Sequence, residues 1–478
     1  MNKVLKEAVF KEYSTVFDIK KIESEYDKAI KNNNRKIVVL DDDPTGVQTI
    51  HDIPVYTDWE FATIESGFND PSSMFFILTN SRSFTSKETV RVHREIAQNI
   101  YKASKILGKD FIIISRSDST LRGHYPLETK VLKDTLEEIS DISIDAEVVF
   151  PFFKEGGRFT IGNIHYVQEN EYLVPASETE FAKDKTFGYK NSHLGKWIEE
   201  KTEGRFLEKE TQYISLEDLR KADLDGIAAQ LMIAKDFSKI VVNAIDYVDV
   251  KVFTIALLKA LDQGKRFIFR TAASFTKVIG GVTDKALLTR QDLIKDRRSN
   301  GGIIIIGSHV KKTTEQLEEL KSLEMVRFVE FNQHLIVNPN EIEMEVWRVV
   351  DICDECIGEG KTVAVYTRRD RLDFNTGNSE DELKLAVKIS HSIASIIHKL
   401  KKKPAFVIAK GGITSSDVAT IGLEIKKAVV AGQIKEGIPV WITGDESRFP
   451  GIPYIIFPGN VGTRKTLKEV VEILSNFP

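Results

Sequence analysis

The sequence predicts an α/β protein of two domains, each a mostly parallel sheet flanked by helices, with the active site in the cleft between them. Three observations predict it. Short, nearly continuous apolar runs recur along the 478 residues, longer amphipathic segments alternate with them, and a polar, glycine-marked stretch separates two sets. The strands expected in the first set are 36–41 (KIVVLD), 75–79, 111–115, 146–150, 239–243 and 266–270. Those in the second set are 302–307, 362–367, 405–409, 439–443 and 454–458. A strand covered on both faces needs apolar side chains on both, which is why these runs do not alternate with polar residues. The boundary is expected near residue 298, within LTRQDLIKDRRSNGGIIII, giving domains of 1–297 and 298–478.

Composition narrows the function classes. A chain that is 42% hydrophobic over this length can bury two cores. A formal net charge of -4 offers no basic field to nucleic acid or to anionic lipid, so neither is an expected partner. The first residues, MNKVLKEAVFKEYS, lack an apolar signal core, and the longest aliphatic runs are too short to span a bilayer. A cytoplasmic location is the expectation. The two cysteines, Cys353 and Cys356, lie in a helical pattern closed by glycines. They are read as buried structural thiols, because one C-x-x-C pair cannot supply four zinc ligands.

In a parallel sheet, ligands collect beyond the carboxyl ends of the strands, so the loops that follow them carry the chemistry. After the first strand comes DDDPTG, with Asp41, Asp42, Asp43, Thr45 and Gly46. The second is followed by NSRSF with Arg82, and the third by RSDSTLRGH with Arg116, Asp118, Ser119, Arg122 and Gly123. PFFKEGGRFTIGNIHY, with Arg158 and His165, follows the fourth. Arginine forks suit carboxylates and phosphates, whereas Asp, Ser and Thr suit sugar hydroxyls. Together these loops read as a site for a small polyhydroxylated acid.

Each loop has a plainer reading. Asp-Pro-Thr-Gly alone is an ordinary turn held by local side-chain bonds. Arg82 could pair with an acid on the next helix, whose start is marked by the capping box Thr85 to Glu88. His124 and His165 are read as hydrogen-bonding structural residues, since neither has a second ligand at metal spacing. A competing reading is the haloacid-dehalogenase phosphatase pattern, in which Asp41, Asp43 and Thr45 would form D-x-D-x-T with Asp41 as nucleophile. Its later acid pair is hard to find, since Asp445 is followed by Phe449 where a second acid should stand.

The C-terminal half carries three glycine turns between a strand and a helix. They are Gly307-Ser308-His309; Lys410 with Gly411, Gly412, Thr414 and Ser415; and Gly459-Asn460 with Gly462. Such turns let backbone N–H groups approach oxygens closely, and helix N-termini add a favourable dipole, so three on one sheet predict a polyphosphate cradle. It is not a Walker loop, because GEGKT at 358–362 precedes a strand and Glu355 occupies the first glycine position. An acid-sugar site in one domain and phosphate loops in the other imply phosphoryl transfer.

The ordered motifs LDDDPTG, TNSRS, SDSTLRGH, EGGRFTIGNIHYV, GSHV, KGGITSSD and FPGNVG resemble the four-carbon acid sugar kinase family over residues 36–465. The resemblance implies an N-terminal substrate domain, a C-terminal nucleotide domain, and ATP-dependent phosphorylation of the terminal hydroxyl of a tetronate such as threonate, erythronate or 3-oxo-tetronate. Family nucleotide contacts would fall on Ser308, Gly411, Gly412 and Gly459. The chain has Asp-Pro-Thr-Gly where many relatives have Asp-Leu-Thr-Gly, and its VPASETEFAKDKTFGYKNSHLGKW segment resembles one branch only. On this reading Arg82, Arg122 or Arg158 clamps the substrate carboxylate, and Asp42, Asp43 or Asp118 accepts the hydroxyl proton. Magnesium accompanies ATP, with no ligand assigned, and a homodimer is a possible assembly.

Overall fold

The computed structural model describes residues 3–14, 18–295, 300–370, 372, 379–459 and 461–475. Its chain sorts into two compact units. The first comprises Met1–Asp42 and Asp58–Thr283, and the second comprises Asp43–Thr57 and Asp284–Pro478.

The first unit is built on a wholly parallel sheet in the order Gln212–Ile214, Ser238–Val242, Ala146–Phe150, Phe267–Thr271, Phe111–Arg116, Lys36–Asp41, Met74–Leu78. Every residue of Lys36–Asp41 is buried, as a strand with helices on both faces requires. Helix Ser86–Leu107 begins at the predicted capping box. Thr85 Oγ1 accepts from Glu88 N at 3.3 Å, and Glu88 Oε2 accepts from Thr85 N at 2.8 Å. The helix buries Val92, Ile96 and Ile100 and ends at Gly108, whose φ of +63° places it in the left-handed region. A small antiparallel sheet, Val4–Leu5, Tyr172–Pro175, Ile164–Glu169, Arg158–Ile161, completes the unit.

The second unit's sheet runs Pro54–Tyr56, Lys427–Lys435, Ile438–Thr443, Pro453–Phe457, Val407–Lys410, Ile303–Ile306, Thr362–Thr367, Val326–Phe331. It is parallel from Pro453–Phe457 onward and antiparallel across the other three strands. The strand expected at 439–443 therefore belongs to a hairpin and not to a parallel crossover. Lys427–Lys435 and Val326–Phe331 were not expected, for a physical reason: both alternate buried with more exposed residues. A search for continuous apolar runs finds strands covered on both faces and passes over half-covered ones.

The units also divide earlier than the expected boundary near 298. Leu288, Leu293 and Ile294 are buried in the second unit's core with Leu317, Leu320 and Val470. Residues 43–57 join the same unit, since Pro54–Tyr56 pairs with Lys427–Lys435 and Gln48 Nε2 donates to Gly437 O at 3.1 Å. DDDPTG is thus split by the fold, with Asp41 and Asp42 in one unit and Asp43, Thr45 and Gly46 in the other. Cys353 and Cys356 are buried on helix Pro339–Gly358, and burial pushes both thiols above their usual range, as inert structural cysteines require. Among the described residues, no helix is long and apolar enough to cross a membrane.

Candidate functional site

In the first unit, parallel pairing places Asp41 opposite Arg116 at the carboxyl end of the sheet. Arg116 Nη1 donates to Asp41 Oδ1 at 2.9 Å and to Asp42 Oδ1 at 3.3 Å. Arg82 grips Asp42 as a fork, with Nε to Oδ2 at 3.1 Å and Nη2 to Oδ1 at 2.7 Å. Arg82 therefore pairs with the first loop. Burial pushes the Asp42 carboxyl up while the two guanidiniums oppose it. A fully buried acid, Glu128, accepts from Ser81 Oγ at 2.6 Å and so ties down the turn that carries Arg82.

The 118–124 loop closes over these carboxylates. Gly123 has φ +121°, and a methyl there would come within 3.5 Å of Asp42 Oδ2 and 3.4 Å of Arg270 Nη2, so glycine allows both the turn and the approach. Arg270 Nη2 holds the loop by donating to Arg122 O at 2.9 Å. Asp118 accepts from Arg122 Nε at 2.8 Å and from Thr120 Oγ1. Burial works against its charge, yet Arg122 and Arg82 beside it hold the carboxyl well below the usual range. Arg158 lies close enough to feel both Asp118 and Arg122, and its Nε is buried without a hydrogen-bond partner. His165 Nε2 donates to Ser119 O at 2.8 Å while Nδ1 accepts from Thr160 Oγ1 at 3.0 Å. Burial lowers His165 to about 4, so it is a neutral support for Ser119, in keeping with its structural reading.

The second unit gathers its glycine turns around Ser308. A methyl on Gly411, where φ is +120°, would stand 3.0 Å from Ser308 Cβ, one on Gly459 would stand 3.5 Å from Ser308 Oγ, and one on Gly307 would strike Thr414 Oγ1. Thr313 Oγ1 links two of the turns by donating to Ser308 Oγ at 3.2 Å and to Gly459 O at 3.4 Å. Gln316 Nε2 fixes the third stretch through Val461 O at 3.1 Å and Thr463 O at 2.8 Å. Asp43 joins this group. Its Oδ1 caps the turn Pro44–Val47 by accepting from Thr45 N at 2.8 Å, and its Oδ2 lies 3.1 Å from where a methyl on Gly412 would sit. Thr45 and Gly46 belong to that capped turn.

Not every expected residue faces the cradle. Ser415 Oγ donates back to Ala409 O at 3.0 Å, and Gly462 is required by Thr466, which a methyl at 462 would meet at 2.7 Å. Asn460 lies outside the described residues. Two cations stand beside these turns: Lys410, already read as part of its glycine turn, and Arg369, which sequence reasoning missed. Lys410, fully buried, donates to Pro458 O at 2.5 Å and Gly459 O at 3.0 Å, and burial pushes its ammonium down to about 6, with Lys312 adding to the shift. Arg369 Nη2 donates to Ser308 O and to Thr314 Oγ1, both at 2.8 Å, while its Nε and Nη1 are buried without partners. Its place directly after strand Thr362–Thr367 is the signal that could have revealed it.

Two family models match the chain. One, a sugar-binding N-terminal domain, covers residues 37–279, and the other, a nucleotide-binding C-terminal domain, covers 303–467. The chain belongs to the four-carbon acid sugar kinase family. Within this kinase family's fold, the chain is similar to a Haemophilus influenzae protein of a domain family of unknown function. That protein is 18% identical, with a TM-score of 0.60, over 91% of this chain and 100% of the other. A Salmonella typhimurium protein described as a tRNA synthase is 14% identical, with a TM-score of 0.64, over 90% of this chain and 97% of the other. At such identities the likeness is one of fold. No curated protein matches the sequence. The phosphatase alternative loses support, since Asp41, its required nucleophile, is 2% exposed and ion-paired with Arg116.

Proposed function

We propose that the chain is an ATP-dependent kinase that phosphorylates the terminal C4 hydroxyl of a four-carbon sugar acid such as threonate, erythronate or 3-oxo-tetronate. The observation that carries this reading is Arg158, a half-buried arginine whose Nε is buried without a hydrogen-bond partner and which lies near Asp118 and Arg122. Such a donor calls for an anion, and the hydroxyls and carboxylate around it suit a polyol. Arg158 and Arg122 take the substrate carboxylate. Arg82 is committed to Asp42, so it shapes the floor.

Ser308, Gly411, Gly412 and Gly459 would hold the nucleotide phosphates, with Arg369 as the cation beside them. The tight approaches around Ser308 and the orphaned Arg369 donors fit such a ligand. When bound, ATP supplies the phosphoryl group. Among the described residues, no group of three His, Cys, Asp or Glu could hold a metal. Magnesium that arrives with phosphates needs only one or two carboxylates, and Asp43 beside Gly412 is the one at hand. We take Asp43 as the proton acceptor because its Oδ2 stands 3.1 Å from where a methyl on Gly412 would sit, beside the turns that would hold the phosphates, with Asp42 and Asp118 as the alternatives.

A coupled ADP-release assay with magnesium and ATP against D- and L-threonate, D- and L-erythronate and the 3-oxo acid tests the reading. Turnover with at least one is expected. Silence across the panel in protein shown to bind ATP would sink it, and phosphate release from phosphosugars without nucleotide would restore the phosphatase. Arg158→Met is expected to raise the KM of the active acid roughly 10- to 100-fold, the range for losing a hydrogen bond to a charged group. The KM of ATP should be unchanged. An unaltered acid KM would pass the carboxylate to Arg122 alone.

A further inference from the structure

Residues 176–189 make contact with the 118–124 loop at several points. Tyr189 Oη donates to Thr120 O at 2.8 Å, and the Phe187 ring meets His124 edge-on at 5.0 Å. Asp184 Oδ2 lies 3.7 Å from Arg122 Nη1. The Phe181 ring is shared by two guanidiniums, with Arg122 Cζ at 5.1 Å and Arg158 Cζ at 5.6 Å from its centroid. These two arginines come from different elements and carry like charges. Like charges held close together repel, and a shared ring face offsets part of that repulsion. The negative face of an aromatic ring attracts a guanidinium while leaving its in-plane N–H donors available.

The donors that remain are distributed accordingly. Arg122 gives Nε to Asp118 at 2.8 Å and to Thr120 Oγ1 at 3.2 Å, and among the described residues its Nη1 has the longer contact with Asp184. Asp184 itself is occupied on Oδ1 by the backbone N–H groups of Thr186 at 2.9 Å and Phe187 at 3.0 Å. Arg158 contributes a buried Nε with no partner. We propose that Phe181 is the positioning residue of the acid site, a platform whose ring holds Arg122 and Arg158 side by side to receive one carboxylate. This rests on the sugar-acid reading above and deepens it. Holding the two forks in place before the ligand arrives spares the ordering cost of binding, so Phe181 sets how strongly an acid is preferred over the corresponding neutral sugar.

The test is calorimetric titration of D- and L-threonate, D- and L-erythronate and the 3-oxo acid into the full chain without nucleotide. Phe181→Leu is expected to weaken binding roughly 10-fold or more, the combined worth of two such ring contacts, and Phe181→Trp to stay within about 3-fold of the wild type. In turnover, Phe181→Leu should raise the KM of the acid and leave the KM of ATP in place, a split that a general loss of structure would not give. Should Phe181→Leu not fold, 3,5-difluorophenylalanine at position 181 keeps the ring's shape and drains its negative face, and weaker acid binding is again expected. Unchanged affinity in either folded variant overturns the platform while the sugar-acid reading stands. Absence of binding of all five acids to the wild-type chain overturns both.

Discussion

Asp43→Asn is expected to lower turnover by about 100-fold or more, the usual range for removing a general base, while ATP affinity and acid affinity stay near the wild-type values. The fold should survive the change. Asp43 Oδ1 caps the turn Pro44–Val47 by accepting from Thr45 N, and an asparagine oxygen accepts the same bond. What asparagine lacks is the capacity to take a proton. Asp42→Asn is the informative contrast, because it leaves the Arg82 fork without its carboxylate and should cost stability as well as activity. Titrating magnesium separates two roles for Asp43. A base leaves the magnesium requirement unchanged when it is removed, whereas a metal-holding carboxylate raises the concentration needed. Near-normal turnover in Asp43→Asn would return the base to Asp118 or Asp42.

That choice among three aspartates shows where the sequence stops being legible. All eleven expected strands are present because each is a continuous apolar run covered on both faces, a pattern written locally in the chain. Parallel strands put their following loops on one edge, so Asp42, Arg82, Asp118 and Arg122 could be gathered on paper before any coordinates. Which carboxylate each arginine claims could not be. Arg82 reaching Asp42 spans 40 residues and Arg116 reaching Asp41 spans 75, distances that no local pattern encodes. The same holds for the split of DDDPTG between the units, which depends on Pro54–Tyr56 pairing with a strand near residue 430. Phe181 was invisible for another reason. An aromatic in a turn-rich segment is ordinarily packing, and only its place beneath two guanidiniums gives it a role.

Ser308→Arg is expected to weaken nucleotide binding by about 100-fold or more while leaving the proposed acid site intact. Space decides this. The turns crowd Ser308 so closely that a methyl on Gly411 would stand 3.0 Å from its Cβ and one on Gly459 3.5 Å from its Oγ, so a long side chain at 308 is expected to project into the space the phosphates would use. Ser308→Ala is the mild partner. It deletes the acceptor for Thr313 Oγ1 and Val310 N but adds no bulk, so a few-fold loss is expected. Calorimetry with ATP reads both variants, and titration with the active sugar acid confirms that the acid-binding residues, all outside the 307–310 turn, are unaffected. If Ser308→Arg disturbs folding, Gly459→Ala answers the same question. Its added methyl meets only ordinary contacts at 3.5 and 3.8 Å, so the protein should fold, yet the methyl stands where backbone must approach an oxygen. Wild-type ATP affinity in either folded variant would move the nucleotide away from these turns, and the kinase reading would then need a different cradle.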